Sequence, residues 1–102
     1  MQDFFKFKRG TGEYLEKREI LFFEIVKRAR KKTHNMAALG CCIRNASGCT
    51  INEDGSVFSG AYYPHNRNAQ NKAEIEGDRL LWEIGEEINE QLKKGTFETL
   101  EV

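Results

Sequence analysis

The chain has 102 residues, of which 39% are apolar and 31% charged, and its 16 basic and 16 acidic residues leave no net charge. This composition excludes a disordered or fibrous chain and a fold held together mainly by cysteines or metal. No apolar run approaches the roughly 20 residues of a membrane helix, so we expect one soluble, cytoplasmic domain over residues 1–102.

The first third of the chain predicts a short strand followed by a long helix. Phe5 and Phe7 alternate with other residues, as in a strand, before a glycine-rich stretch at 10–12 interrupts the pattern. Over 13–32, apolar residues recur at three- and four-residue steps, which is typical of an amphipathic helix. We expect its apolar face to hold Leu15, Phe22, Ile25, Val26 and Ala29.

The rest of the chain predicts strands, a second helix and a terminal strand. The apolar run at 36–44, the brief stretch 49–52 and the segment 56–63 have strand composition, and Asp54-Gly55 is typical of a two-residue hairpin turn. A helix follows over about 68–94, with Asn71 as its cap and Gly95 at its end, before an alternating segment at 96–102.

This order, β-α-β-β(-β)-α-β, predicts the α+β class. Two amphipathic helices would cover one face of a mainly antiparallel sheet of three to five strands, as a two-layer sandwich.

The residues that could bind a metal lack the spacing of a metal site. Cys41, Cys42, Cys49, His34 and His65 form neither a Cys-x-x-Cys nor a His-x-x-x-His pattern, so we expect reduced thiols, no metal and no cofactor. The sequence also contains no nucleophile elbow and no phosphate-binding loop. We therefore expect no catalytic residues, and a binding protein is favoured over an enzyme.

A hairpin followed by Lys72-Ala73-Glu74 at a helix start resembles the first half of the zinc-dependent cytidine deaminase family, over about residues 36–84. In that family a His or Cys before the Ala-Glu pair binds zinc, the Glu transfers protons, and a later Pro-Cys-x-x-Cys completes the site. Here Lys72 stands at the ligand position, no cysteine follows Cys49, and no proline follows Pro64. We therefore expect no deaminase activity.

The predicted order of helix, three strands and helix also resembles double-stranded RNA-binding domains, with residues 50–61 as their second hairpin. That family binds phosphates at the start of its last helix, where this chain is mostly acidic. A nucleic-acid-binding protein would instead use the basic helix 13–32, which is an alternative reading of the chain. Its candidate residues are Lys17, Lys27, Arg28, Lys31 and Lys32.

Two further groups of residues are candidates for binding. Ile75 and Trp82 lie seven residues apart on the helix face opposite the apolar stripe, so they are candidates for an interface, most simply of a homodimer. The loop at 62–68 combines aromatic, amide and basic groups suited to a small ligand, and a third alternative is an enzyme of unknown reaction that uses it. Its candidates are Tyr62, Tyr63, His65, Asn66, Arg67 and Asn68. The leading hypothesis is a small non-catalytic binding or protein-interaction module that forms a dimer.

Overall fold

The computed structural model describes residues 2–58 and 71–101. These residues form three helices and one small sheet, in the order α1 (Glu13–Lys32), α2 (Met36–Ala46), β1 (Thr50–Ile51), β2 (Val57–Phe58) and α3 (Lys72–Lys94). The predicted two-layer α+β sandwich is wrong, because the described chain is mostly helical and its sheet consists of two strands of two residues each.

Helix α1 has the bounds predicted from the sequence. Its first turn is acidic and its last turn is basic, which complements the helix dipole at both ends. Leu21, Ile25 and Ala29 recur every four residues and are buried against the rest of the core. Leu15, which was expected on the apolar face, is instead 69% exposed. The side of α1 that faces the core is therefore rotated away from Leu15.

The predicted strand at 36–44 is wrong, since these residues lie in α2. The side chain of Asn35 accepts hydrogen bonds from the amides of Ala37 and Ala38 at 3.1 and 3.2 Å, which satisfies two donors of the first turn. Ala38, Cys42 and Ala46 recur every four residues and are buried. A short apolar run does not by itself distinguish a strand from a buried helix, and here the cap and the spacing favour the helix.

The predicted hairpin is confirmed, but its turn has three residues rather than two. β1 and β2 pair antiparallel, with Thr50 opposite Phe58. The Asn52 amide donates to the Ser56 carbonyl at 2.9 Å, and the Gly55 amide donates to the Asn52 carbonyl at 3.0 Å. Gly55 has φ 88°, the left-handed conformation that ends a three-residue hairpin loop. The strand expected over 56–63 is described only as far as Phe58.

Helix α3 begins and ends at residues that the sequence identifies. The Asn71 side chain accepts a hydrogen bond from the Glu74 amide at 3.0 Å, and Gly95 ends the helix with φ 72°. The sequence predicts an apolar stripe on α3, most of which is buried; it packs chiefly against α2 rather than against a sheet. Its buried residues are Gly77, Leu80, Leu81, Ile84, Ile88 and Leu92, and Ala73 is half-buried. A Cβ at Gly77 would lie 2.7 Å from the Cys41 Cβ and 2.8 Å from the Ala38 carbonyl oxygen. The absence of a side chain at Gly77 thus allows the two helices to approach this closely.

The strands predicted at the two ends of the chain are also wrong, because residues 2–12 and 96–101 form none. Instead, the Gln2 side chain donates to the Phe97 carbonyl at 3.0 Å and accepts from the Phe97 amide at 2.9 Å. Phe5 and Phe97 are buried with ring centroids 5.2 Å apart. The alternating aromatic residues therefore anchor two irregular segments in the core.

Among the helices of the described part of the chain, none is both long enough and apolar enough to cross a bilayer.

Candidate functional site

Most of the basic residues proposed for nucleic-acid binding contact other parts of the same chain. The Lys17 ammonium lies 5.3 Å from the centre of the Phe4 ring. The Lys27 ammonium donates to the Leu100 carbonyl at 2.7 Å, and Lys32 pairs with Glu87 at 2.9 Å. Lys31 is exposed. Helix α1 therefore presents much less free positive charge than its sequence suggests.

Arg28, the fifth of these candidates, is buried in a polar network between α1 and α3. Its guanidinium donates to the carboxylates of Glu24 and Glu87, each at 2.7 Å. It also donates to the Glu98 carbonyl at 3.2 Å and lies 5.4 Å from the centre of the Phe97 ring. These contacts hold the C-terminal segment 96–101 against the helices and use four of the five N–H donors of Arg28. Arg28 is 3% exposed, so its side chain is not accessible to a phosphate group.

The acidic members of this network complete its hydrogen bonds. Glu24 is fully buried and accepts from the Leu100 amide at 3.0 and 3.1 Å. Partial burial raises the pKa of Glu87, but its hydrogen bonds and charge interactions with Lys32 and Arg28 outweigh burial, so the net pKa lies below its ordinary value. The Glu87 carboxylate is therefore ionised at neutral pH, and both side chains accept hydrogen bonds in a structural network rather than in a pocket.

Cys41 and Cys42 lie on α2, Cys49 lies between α2 and β1, and all three are free thiols. Burial raises the pKa of the Cys42 thiol to about 12, with smaller contributions from Asp78 and Cys41, and burial also raises the pKa of Cys49. A thiol with such a pKa is protonated at neutral pH and is a poor nucleophile. Within residues 2–58 and 71–101, no group of three or more His, Cys, Asp or Glu side chains could hold a metal ion.

A cleft of about 200 Å³ separates the hairpin from α3. Trp82 and Phe58 line it together with Asn52, Ser56 and Glu86. Phe58 is 46% exposed and Trp82 is partly buried. Trp82 therefore lies beside the hairpin, whereas Ile75, the other member of the predicted interface pair, is 38% exposed near the start of α3. The dimer contact through these two residues remains a prediction.

The hairpin side of the cleft is attached to α3 by the side chain of Asn89, which forms the hydrogen bonds that a third strand would form with β2. Asn89 on α3 accepts from the Val57 amide at 2.7 Å and donates to the Val57 carbonyl at 2.8 Å. The two hydrogen bonds satisfy the backbone of a strand that would otherwise be an open edge. They attach the hairpin to α3 and position Phe58 at the rim of the cleft.

The predicted ligand-binding loop lies outside the described residues. This applies to all six of its candidates: Tyr62, Tyr63, His65, Asn66, Arg67 and Asn68.

The outer face of α1, defined here as Leu15, Glu16, Glu19, Ile20, Phe23 and Arg30, is apolar and exposed at its centre. Phe23 lies about 160° around the helix from the core residue Ile25, because each residue advances about 100°. Its side chain is 54% exposed; Ile20, about one turn before it, is 38% exposed, and Leu15, about two turns before it, is 69% exposed. Scattered apolar residues are normal on a protein surface, but several large ones on a single helix face are typical of an interaction site.

Charges flank this apolar centre with opposite sign at its two ends. Glu16 and Glu19 lie toward the N-terminal end of α1, and Arg30 and Lys31 lie toward its C-terminal end. All four are exposed, and none forms an ion pair with another described residue. The charged groups of the outer face are therefore available to a partner, unlike the buried Arg28.

Sequence reasoning did not identify Phe23 or Ile20 as site residues. A signal for them was present, because apolar residues on α1 occupy more than half of the helix circumference, whereas one buried stripe needs only about a third. The excess indicates a second apolar face. Which of the two would be buried depends on where the other helices pack.

Comparison with known proteins reveals no relative: no protein-family model matches the chain, and neither does any curated protein or solved structure. The likeness to double-stranded RNA-binding domains depended on three strands between two helices. The described part of that region instead contains α2 and two short strands.

Proposed function

We propose that this chain is a small non-catalytic protein-interaction module that binds a protein partner through the outer face of α1. The observation that supports this proposal is the exposure of Phe23 at the centre of that face, with Ile20 about one turn and Leu15 about two turns before it. Large aromatic and aliphatic side chains surrounded by charges are the usual composition of a protein contact site. Burial of these side chains would provide the free energy of association.

The other side chains with reactive or charged groups support a structural role better than a catalytic one. The Cys42 thiol is buried and protonated, and the carboxylates of Glu24 and Glu87 are occupied by Arg28. Lys27 and Lys32 form intramolecular contacts, which leaves little charge on α1 for a phosphate backbone. An exposed apolar centre on the same helix is better suited to a protein surface than to a nucleic acid.

Site-specific photo-crosslinking tests the proposal. A photoreactive phenylalanine analogue at position 23 should form an adduct with a partner protein in cells, whereas the same analogue at the exposed Lys93 on α3 should not. The partner identified by mass spectrometry should then bind the purified chain and lose that binding with Phe23→Glu. Absence of any adduct at position 23, or equal adducts at both positions, would overturn the proposed contact surface.

A further inference from the structure

The charges of the outer face of α1 are arranged so that the face complements itself. Glu16 lies seven residues before Phe23 and Arg30 lies seven residues after it. Both side chains are exposed and form no ion pair with another described residue, whereas Lys27 is held by the Leu100 carbonyl of its own chain. A twofold axis through Phe23, perpendicular to the helix, therefore places Glu16 opposite Arg30 of a second copy.

We infer that the partner of this face is a second copy of the chain, paired antiparallel through α1 about a twofold axis at Phe23; the inference rests on the proposed function. In this arrangement Phe23 packs on Phe23 of the second copy. Glu16 faces Arg30 of the second copy twice, once on each side of the axis. A parallel pair would instead set like charges side by side, so the charge pattern selects the antiparallel orientation.

The apolar part of this contact consists of Phe23 and Ile20. Ile20 lies three residues before Phe23 and is 38% exposed, so it adds apolar area on each side of the axis, whereas Val26, three residues after Phe23, is buried in its own chain. A pair of helices of this length spans about 30 Å and has a contact area at the low end of specific interfaces. We therefore expect a dimer with a dissociation constant in the micromolar range rather than a permanent one.

Sedimentation equilibrium on the purified chain over about 5 to 500 µM tests for this dimer. The wild-type chain should change from monomer to dimer over that range. Phe23→Ser should weaken association about a hundredfold, because the axis removes two aromatic anchors at once. Since Phe23 is 54% exposed, the variant should retain its helical circular dichroism, which separates loss of contact from loss of fold.

A charge exchange tests the orientation. Glu16→Arg alone sets two arginines against each other on both sides of the axis, and Arg30→Glu alone sets two glutamates against each other. Each single variant should associate about tenfold more weakly than the wild type. An equimolar mixture of the two should regain wild-type affinity as a heterodimer, because every contact then joins opposite charges. A mixture no tighter than its components would overturn the antiparallel arrangement.

The remaining outcomes separate the inference from the proposed function. The wild-type chain could stay monomeric at 500 µM while position 23 still crosslinks to a different protein. This result would overturn the homodimer and leave the outer face of α1 as the proposed contact surface. If the dimer persists with Phe23→Ser but dissociates with Ile75→Asp, the dimer contact is not the outer face of α1. The contact is then the face of α3 that carries Ile75 and Trp82. Loss of both the dimer and the adduct at position 23 overturns the inference and the proposed function together.

Discussion

The guanidinium of Arg28 and the carboxylate of Glu24 form an ion pair at 2.7 Å, and both side chains are almost completely buried. They lie one turn apart on α1. Buried charges are costly to desolvate, and this pair is compensated by hydrogen bonds to α3 and to the C-terminal segment. The pair therefore links three parts of the chain and makes the position of the C-terminal segment dependent on α1.

Replacement of Arg28 by Ala should destabilise the protein by about 3 kcal/mol, because it leaves the buried carboxylate of Glu24 without its main partner. Urea denaturation measures the change. Lys31→Ala, on the same helix but exposed, should change the free energy of unfolding by less than about 0.5 kcal/mol. If Arg28→Ala lowers the free energy of unfolding by less than about 1 kcal/mol, water must replace the guanidinium as the partner of Glu24, and the network is then accessible to solvent.

Two glycine substitutions should have opposite effects on stability. Gly77→Ala places a Cβ 2.7 Å from the Cys41 Cβ, so α2 and α3 must separate, at a cost of about 2 kcal/mol or more. Gly40→Ala, in the middle of α2, places its Cβ in open space and should stabilise the protein by about 0.5 to 1 kcal/mol through helix propensity. Thermal unfolding followed by circular dichroism measures both. Equal effects of the two substitutions would contradict the close packing at Gly77.

Loss of the Asn89 side chain should release the hairpin from α3. Asn89→Ala removes the hydrogen bonds to both the amide and the carbonyl of the buried Val57, and we expect a cost of about 2 kcal/mol. Hydrogen exchange should show faster exchange at the Val57 amide than at core amides of α1. Asn71→Ala serves as a comparison, since loss of the helix cap should cost about 1 kcal/mol without changing the Val57 amide.

Stability should fall in acid in part because of Glu87. The folded-state pKa of Glu87 lies below the ordinary value of 4.5. Its contribution to the stability of the folded protein is therefore fully present above pH 4.5 and is lost as the pH falls through the folded-state pKa. Glu87→Gln should be less stable than the wild type at pH 7, and the two proteins should converge as the pH falls through the folded-state pKa of Glu87. Urea midpoints across this range measure the difference. Glu83→Gln, at an exposed position of α3, should parallel the wild type, and a Glu87→Gln curve that also ran parallel would contradict the ion pair.

Local signals in the sequence determined the ends of the long helices and the turn of the hairpin. The acidic start and basic end of α1, the Asn71 cap and Gly95 of α3, and the Asp54-Gly55 turn each depend on interactions within a few residues. Such interactions are present in the chain before it folds. For that reason α1 and the C-terminal end of α3 could be read directly from the residue pattern.

Tertiary contacts decided the fold class and the exposed surface. The run at 36–44 is compatible with a strand or a helix, and it is a helix in contact with Gly77, which lies more than thirty residues away. The aromatic alternation near both ends predicted strands, yet Gln2 and Phe97 satisfy each other's hydrogen bonds without a sheet. In each case the deciding partner is distant in sequence, and local composition carries no information about it.

In the candidate site, too, some features follow from the sequence and others only from the packing of the fold. The sequence alone established that α1 is basic and carries more apolar residues than one buried stripe requires. Packing against α2 and α3 buried Leu21 and Ile25 and left Phe23 exposed, while Lys27 and Arg28 became contacts of the C-terminal segment. The residue type determines what a side chain can do, but only the packed neighbours determine whether it is free to do it, because burial and pairing are properties of the whole fold.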